Sequence, residues 1–548
     1  MSPRAWLSAL VVILLLSSSI GAYLILRDDD PPNDPDIDDE PPYIEPTGEV
    51  PFRGAGAFLP VDYAYFFTYE LNEYTCYYTD DFFRWPSSMF DRSLLSATFC
   101  LATSTFGSPW YMPTPYHLAE SFLTDIGFEN VEANEDYKIQ PQTHTIGAIA
   151  GMKRITCETE NDTTLIALSL RGDGYGNEWA SNFTVGYGTD SEDHHKGFFD
   201  SQTKVRDFLQ SYIEEYDITG DVKLWITGYS RGAAVANVIA GRLDTAIANG
   251  EKPLGDDIDL TKHGLYCYTF ATPTTIQHDD DSTIDPRSAD YNNIKSVIMY
   301  GDVIPKLIFE GLGFERYGID VTMSDPASEN YEEDKVRAMG YYNEFSYQLD
   351  TDTYFLDGFT PYRIDLNALL TGGDLISLDP HAPYTDIDQA LDVGFNEMSE
   401  IMDGRDWYVD NVEGLVIQIY DVICGDDYRY SLDTFINILV RLTMNRGDTH
   451  LVNMMMDVLM NKDISDYLID DIELILTVLE RDVAQAADIA DGISDLVLLF
   501  RGILFSGNSA ILNALATIGM NMGFMTYGHI AHTYQSWIWV YDPIHDSE

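Results

Sequence analysis

The stretch TGYSRGAA, Thr227 to Ala234, sets a serine between two glycines, with the apolar run LWIT before it and a run of alanines after it. The residues from Asp221 to Thr227 read as a strand, and Ser230 to Ala248 as a helix that stops at Asn249 and Gly250. A strand entering a helix through G-x-S-x-G needs a tight turn, and that turn exposes the serine at the carboxyl end of a sheet. The pentapeptide alone fits an ordinary turn serine better, because short glycine-serine motifs occur by chance. The flanking strand and small-residue helix favour Ser230 as a nucleophile, and the helix N-terminus would stabilise negative charge developing beside it.

Working outward from the elbow, elements of the same kind alternate. TTLIALSLRG (163–172), GLYCYTFATP (264–273) and NNIKSVIMYGD (292–302) read as buried strands, and TKVRDFLQSYIEEY (203–216) as an amphipathic helix. Strand, helix, strand, helix, strand is the grammar of a mainly parallel α/β sheet. Earlier residues carry helical signals in SLLSATFCLATSTFG (93–107) and YHLAESFLTDIGFENV (116–131).

A serine at its ordinary pKa is a poor nucleophile, so the reading requires a histidine base and an acid that orients it. On this elbow the chain order is Ser, then Asp or Glu, then His. Two histidines, His529 and His532, sit near the C-terminus in YGHIAHTYQSWIWV (527–540).

Five segments together resemble the class 3, fungal-type lipases and their extracellular bacterial relatives. SLRGDGYGNEWASNF (169–183) resembles the family's oxyanion loop, and HHKGFFDSQTKVRDFL (194–209) its His-x-Gly-Phe segment. TGYSRGAAVAN (227–237) resembles the elbow, YTFATP (268–273) the strand after it, and YGDVIPKL (300–307) the acid loop with Asp-x-x-Pro. The resemblance implies an α/β-hydrolase with a mainly parallel central sheet, and a triad of Ser230, Asp302 and His532. His529 is the rival base. It implies backbone N–H donors for the oxyanion at Arg231 and Asp173; the aspartate departs from the family's usual Ser or Thr. Arg171 could neutralise Asp173 or form a plain structural ion pair. No cofactor is required. The implied substrate is a lipid or other acyl ester. Two other readings stay open: a lipase-like surface binding protein without turnover, and a peptidase or acyltransferase using the same triad.

Composition limits the partners. With 31 Lys and Arg against 90 Asp and Glu, the formal charge is −59, which excludes a nucleic-acid partner because phosphate binding relies on clustered cations. A hydrophobic share of 45% supplies enough apolar surface for a large core. The five cysteines, at 76, 100, 157, 267 and 424, form no CxxC pair, so neither a zinc ribbon nor a dense disulfide framework is expected.

The expected layout has five parts. Residues 1–27 are a signal anchor or signal peptide, because Ala5 to Leu26 is apolar and long enough to span a bilayer. Residues 28–50 are an acidic, proline-rich linker. Residues 51–323 are the hydrolase core with its helical N-terminal part, and 324–522 are a large helical insertion that could cap the serine. Residues 523–548 return to the core with the histidine. Either N-terminal reading puts the globular part outside the cytoplasm, membrane-anchored or secreted. The oligomeric state is left open.

Overall fold

In the computed structural model of the protein, the residues described are 57–64, 71–107, 112–137, 144–156, 162–172, 176–186, 193–278, 284–302, 304–307, 313–345, 408–423, 432–504, 509–521 and 528–543, with short stretches between 360 and 393. The expected anchor and linker, residues 1–50, lie outside them, as do Asp173, Cys157 and Cys424. Among the described residues no helix is long and apolar enough to cross a membrane.

Seven strands form the central sheet: β1 Glu129–Ala133, β2 Ala148–Thr156, β3 Asp162–Leu170, β4 Gly220–Tyr229, β5 Ile258–Phe270, β6 Ile294–Met299 and β7 Ile319–Met323. Their order across the sheet is the order of the chain. Strands β3 to β7 run parallel, while β1 and β2 join antiparallel at the β3 edge. This is a mainly parallel sheet, as the alternating elements predict.

The middle of the sheet is buried on both faces because its inner strands carry mostly apolar side chains there, and successive residues point to opposite sides. Leu165, Ala167, Trp225, Tyr229, Tyr268 and Phe270 face one layer, and Ile166, Leu168, Leu224, Ile226 and Cys267 face the other. The second layer is α3 (Lys196–Glu215) and α4 (Arg231–Ala248). The first contains α1 (Arg92–Ser104), α2 (His117–Asp125) and, from the far end of the chain, α12 (Ala531–Tyr541). Helix α1 is capped by Asp91, whose Oδ1 accepts from the backbone N–H groups of Ser93 and Leu94. It is buried almost all round, which makes it a core helix rather than a surface one. A hairpin, Ala57–Ala64 with Leu71–Tyr78, precedes it where the sequence shows mainly helical signals.

Helix α5 (Tyr331–Phe345) packs along α12, with Tyr331 stacked on Trp537 and Tyr341 edge-on to Trp539. It is therefore part of the core layer, although it follows Ser324. The later helices are α6 (Gly414–Ile423), α7 (Leu432–Asn445), α8 (Asp448–Leu459), α9 (Ser465–Val478), α10 (Ala486–Leu504) and α11 (Ser509–Met520). Helices α6 to α10 build an apolar cluster together with Ala180 and Phe183. Met454 is buried in it while Met456 and Met460 are exposed.

Trp225 anchors the first layer. Its ring stacks with Tyr78 and tilts against Phe83, and its Nε1–H donates to Thr98 Oγ1 at 2.9 Å across the gap to α1. Trp225→Ala should cost about 3–5 kcal/mol of stability, whereas Trp225→Phe, which keeps a ring and loses the donor, should cost about 1–3 kcal/mol. Urea unfolding of the two variants beside the parent checks the ranking.

Candidate active site

The elbow forms where β4 meets α4. Ser230 sits at φ 51° and ψ −122°, a left-handed conformation that costs a non-glycine residue energy and must be held by its surroundings. Two close approaches hold it. A Cβ on Gly228 would lie 2.4 Å from the Gly232 carbonyl, and one on Gly232 would lie 2.6 Å from the Arg171 carbonyl oxygen. The Ser230 N–H is fixed by donating to the Phe270 carbonyl on β5 at 2.8 Å. The serine is thus presented at the carboxyl end of the sheet, 6% exposed, with the N–H groups of the first turn of α4 behind it.

Asp302 follows β6 at the same end of the sheet and is fully buried. Its Oδ1 accepts from the Ile304 N–H at 3.0 Å.

The sequence reading prefers His532 as the base, and the structure corrects this. His529 lies between the serine and the acid: its Nε2 is 3.1 Å from Ser230 Oγ, and its Nδ1 is 3.0 and 3.1 Å from the two Asp302 carboxylate oxygens. A carboxylate accepts only, so Nδ1 carries the proton and Nε2 is left to accept from the Ser230 hydroxyl. His532 is inside the first layer with an edge contact to Tyr342, and burial pushes its imidazole pKa down to about 3. The reason is the start of α12. The helix begins at Ala531 with Ile530 as its N-cap, so His529 belongs to the turn ahead of it and His532 to its buried first turn. The two do not share a helix face, as a spacing of three suggests.

Contacts around His529 fix that turn. The Tyr229 hydroxyl donates to the His529 carbonyl, tying the turn to the residue before the serine. Gly528 lies against the acid loop so closely that a Cβ there would be 2.8 Å from the Gly301 oxygen. Tyr534, one turn into α12, donates its hydroxyl to Asp302 Oδ2 at 2.7 Å and accepts from the Met299 N–H at 3.1 Å. Burial and the adjacent Asp302 charge hold this phenol well above its ordinary pKa, so it remains a donor. Sequence reasoning does not single out Tyr534; a tyrosine within an aromatic helix reads as packing.

Of the oxyanion donors expected from the resemblance, Arg231 is at the first position of α4 beside the serine, and Asp173 lies outside the described residues. The Arg231 guanidinium points away from the serine into the protein, where it donates to Asn182 Oδ1 at 2.9 Å, Ser201 Oγ at 2.7 Å and the Thr145 carbonyl at 3.2 Å. Arg171 is paired with Glu178 at 2.7 Å, both fully buried. Burial pushes the Glu178 carboxyl up to about 7 against the opposing pull of Arg171.

A strained serine at the carboxyl end of a mainly parallel sheet, hydrogen-bonded to a histidine that is itself held by a buried aspartate, is an arrangement that can activate a hydroxyl as a nucleophile. Residues 167–311 match the family described as class 3 lipase, and over that region the chain is lipase-like. No curated protein matches the chain. Three solved structures are similar to part of it. One, a fungal lipase–inhibitor complex, is 19% identical over 36% of this chain and 68% of its own, with a TM-score of 0.25. The Rhizomucor miehei lipase–propeptide complex is 18% identical over 45% and 69%, with a TM-score of 0.28. A mutant MDLA of Penicillium cyclopium is 17% identical over 42% and 80%, with a TM-score of 0.27.

The burial of His532 has a measurable consequence. Its imidazole stays neutral in the folded state down to about pH 3, whereas an exposed imidazole takes up a proton near pH 6.5. Above about pH 6.5 it makes no difference; below that the unfolded state binds the extra proton, and stability falls by up to about 1.4 kcal/mol per pH unit. His532→Leu should therefore lose about 2 kcal/mol less than the parent between pH 7 and pH 5, read from unfolding midpoints at the two pH values.

Proposed function

We propose that the protein is a serine hydrolase of carboxylic esters, with Ser230 as nucleophile, His529 as base and Asp302 as the orienting acid. The observation that carries this reading is the continuous hydrogen-bonded line from Ser230 Oγ through both ring nitrogens of His529 to the buried Asp302 carboxylate. In the first half-reaction Ser230 Oγ attacks the ester carbonyl carbon while its proton passes to His529 Nε2. Asp302 stabilises the imidazolium that results. The oxyanion forms beside the start of α4, where the Arg231 N–H and one N–H of the loop at Asp173 are the donors. His529 then returns the proton to the departing alkoxide, leaving an acyl-serine. Water repeats the sequence and releases the carboxylic acid.

The likeness to class 3 lipases supports a lipid or other acyl ester as the substrate, and the apolar stretch Ala5 to Leu26 supports a position outside the cytoplasm, membrane-anchored or secreted.

Hydrolysis of p-nitrophenyl esters of increasing chain length tests the assignment. Ser230→Ala and His529→Ala should each lower kcat by about a thousandfold or more. His532→Ala should keep most of the activity, because that ring touches neither the serine nor the acid. Full activity in Ser230→Ala, or loss in His532→Ala with retention in His529→Ala, would sink the assignment. A folded parent protein that neither turns over esters nor reacts with a fluorophosphonate probe would instead be a lipase-like binding protein.

A further inference from the structure

The residue ahead of the nucleophile carries a hydroxyl that takes no part in the proton relay. Tyr229 ends β4 and is fully buried. Its ring is enclosed on several sides: it lies edge-on to Phe106 at 5.2 Å, to Tyr534 at 5.5 Å and to Phe99 at 6.2 Å, and it is tilted against the His529 ring at 5.6 Å. Gly172 makes room for it, since a Cβ there would stand 2.6 Å from the Tyr229 Cβ. A ring held on these sides keeps its hydroxyl in one direction, onto the main-chain carbonyl of His529, to which it donates.

That carbonyl belongs to the base itself. The His529 ring is held at both nitrogens, by Ser230 Oγ at 3.1 Å and by the Asp302 carboxylate at 3.0 and 3.1 Å. The first of these holds is lost during the reaction. Once Ser230 Oγ carries an acyl group it has no proton to give to Nε2, and the ring must direct its own proton at the departing alkoxide and then take one from water. The bond at Nδ1 remains as a pivot, so the direction of Nε2 depends on where the main chain of residue 529 sits. On one side that chain enters α12, where the Ile530 carbonyl accepts from the Thr533 and Tyr534 N–H groups. At His529 itself the Tyr229 hydroxyl supplies a hold. The base is thereby fixed to the strand that presents the nucleophile, at the residue next to the serine.

We propose that Tyr229 is a positioning residue for turnover: its hydroxyl, by holding the His529 carbonyl, keeps Nε2 in line with the reacting oxygen through both half-reactions. This inference rests on the ester-hydrolase reading. Tyr229 acts through His529 and not on the substrate. Both half-reactions use the same imidazole, so both slow together when the hydroxyl is removed; kcat and kcat/KM fall alike and KM stays nearly unchanged.

The test uses the full chain and a short soluble ester, p-nitrophenyl butyrate. Tyr229→Phe removes the hydroxyl and keeps the ring, and thermal unfolding checks the fold of the variant. The expected result is a kcat about tenfold lower with KM within about twofold of the parent. A double-mutant cycle asks whether the effect travels through the imidazole: in the His529→Ala background, Tyr229→Phe should change the residual rate by less than about twofold. A similar tenfold fall in that background overturns the proposal, as does parent-like kcat in a folded Tyr229→Phe or a rise in KM with kcat kept. Tyr229→Leu, which also lacks the donor, is read if the Phe variant does not fold. Failure of both to fold overturns the proposal too, since the hydroxyl would then serve the fold. Labelling of the parent by a fluorophosphonate at Ser230 is scored in the same series. A parent that is neither labelled nor active overturns the hydrolase reading itself, whereas a labelled, active parent with an unaffected Phe variant overturns only the role of Tyr229.

Discussion

Everything at the site depends on a turn in which two side chains are absent. With no Cβ at Gly228 or Gly232, the end of β4 and the start of α4 approach within van der Waals distance of each other and of the end of β3. That contact leaves Ser230 with a left-handed backbone, which the bond from its N–H to Phe270 helps to hold. The strain is of order 1–3 kcal/mol, small beside the burial of a sheet covered on both faces. The packed core can therefore bear it, and the hydroxyl stands clear of the sheet as a result.

The other two members reach the serine by different means. Asp302 is delivered locally, at the end of β6, two strands from β4 across the sheet. His529 is delivered from far along the chain, by a helix whose buried residues run from Ala531 to Val540 without a polar face toward water. Aromatic packing of Tyr534, Trp537 and Trp539 against the first layer seats that helix, and Tyr534 also bonds the acid directly. The same helix thus holds His529 in place and bonds Asp302, the carboxylate that faces its ring. Positional precision of this kind comes from burial more than from the hydrogen bonds alone, since a buried aromatic helix has few alternative seats.

Two buried cations near the elbow are held in different ways. Arg171 and Glu178 neutralise one another inside the protein, and the Arg231 guanidinium spends its donors on Asn182, Ser201 and a carbonyl. Removing either partner of such a set would strand a charge in low dielectric, so these contacts specify one arrangement of residues 171–186 more than they add stability. The large excess of acidic residues, 90 acidic against 31 basic side chains, acts on solvation and association.

The parallel strands and the elbow are legible in the sequence, because each is a local pattern: apolar runs of strand length, and two glycines four residues apart; Asp302 follows only from the resemblance of YGDVIPKL (300–307) to the class 3 lipases' acid loop. The antiparallel strands β1 and β2 and the early hairpin carry weaker alternation and were not read. The choice between His529 and His532 was beyond any local pattern. Three residues separate them, and which one faces the serine depends on whether α12 starts before or after Ile530, a matter settled by how Trp537, Trp539 and Tyr534 pack on residues several hundred positions earlier. Local sequence determined the elbow at Ser230 through backbone sterics; only the tertiary structure, through long-range packing, decided which imidazole completes the line from Ser230 to Asp302.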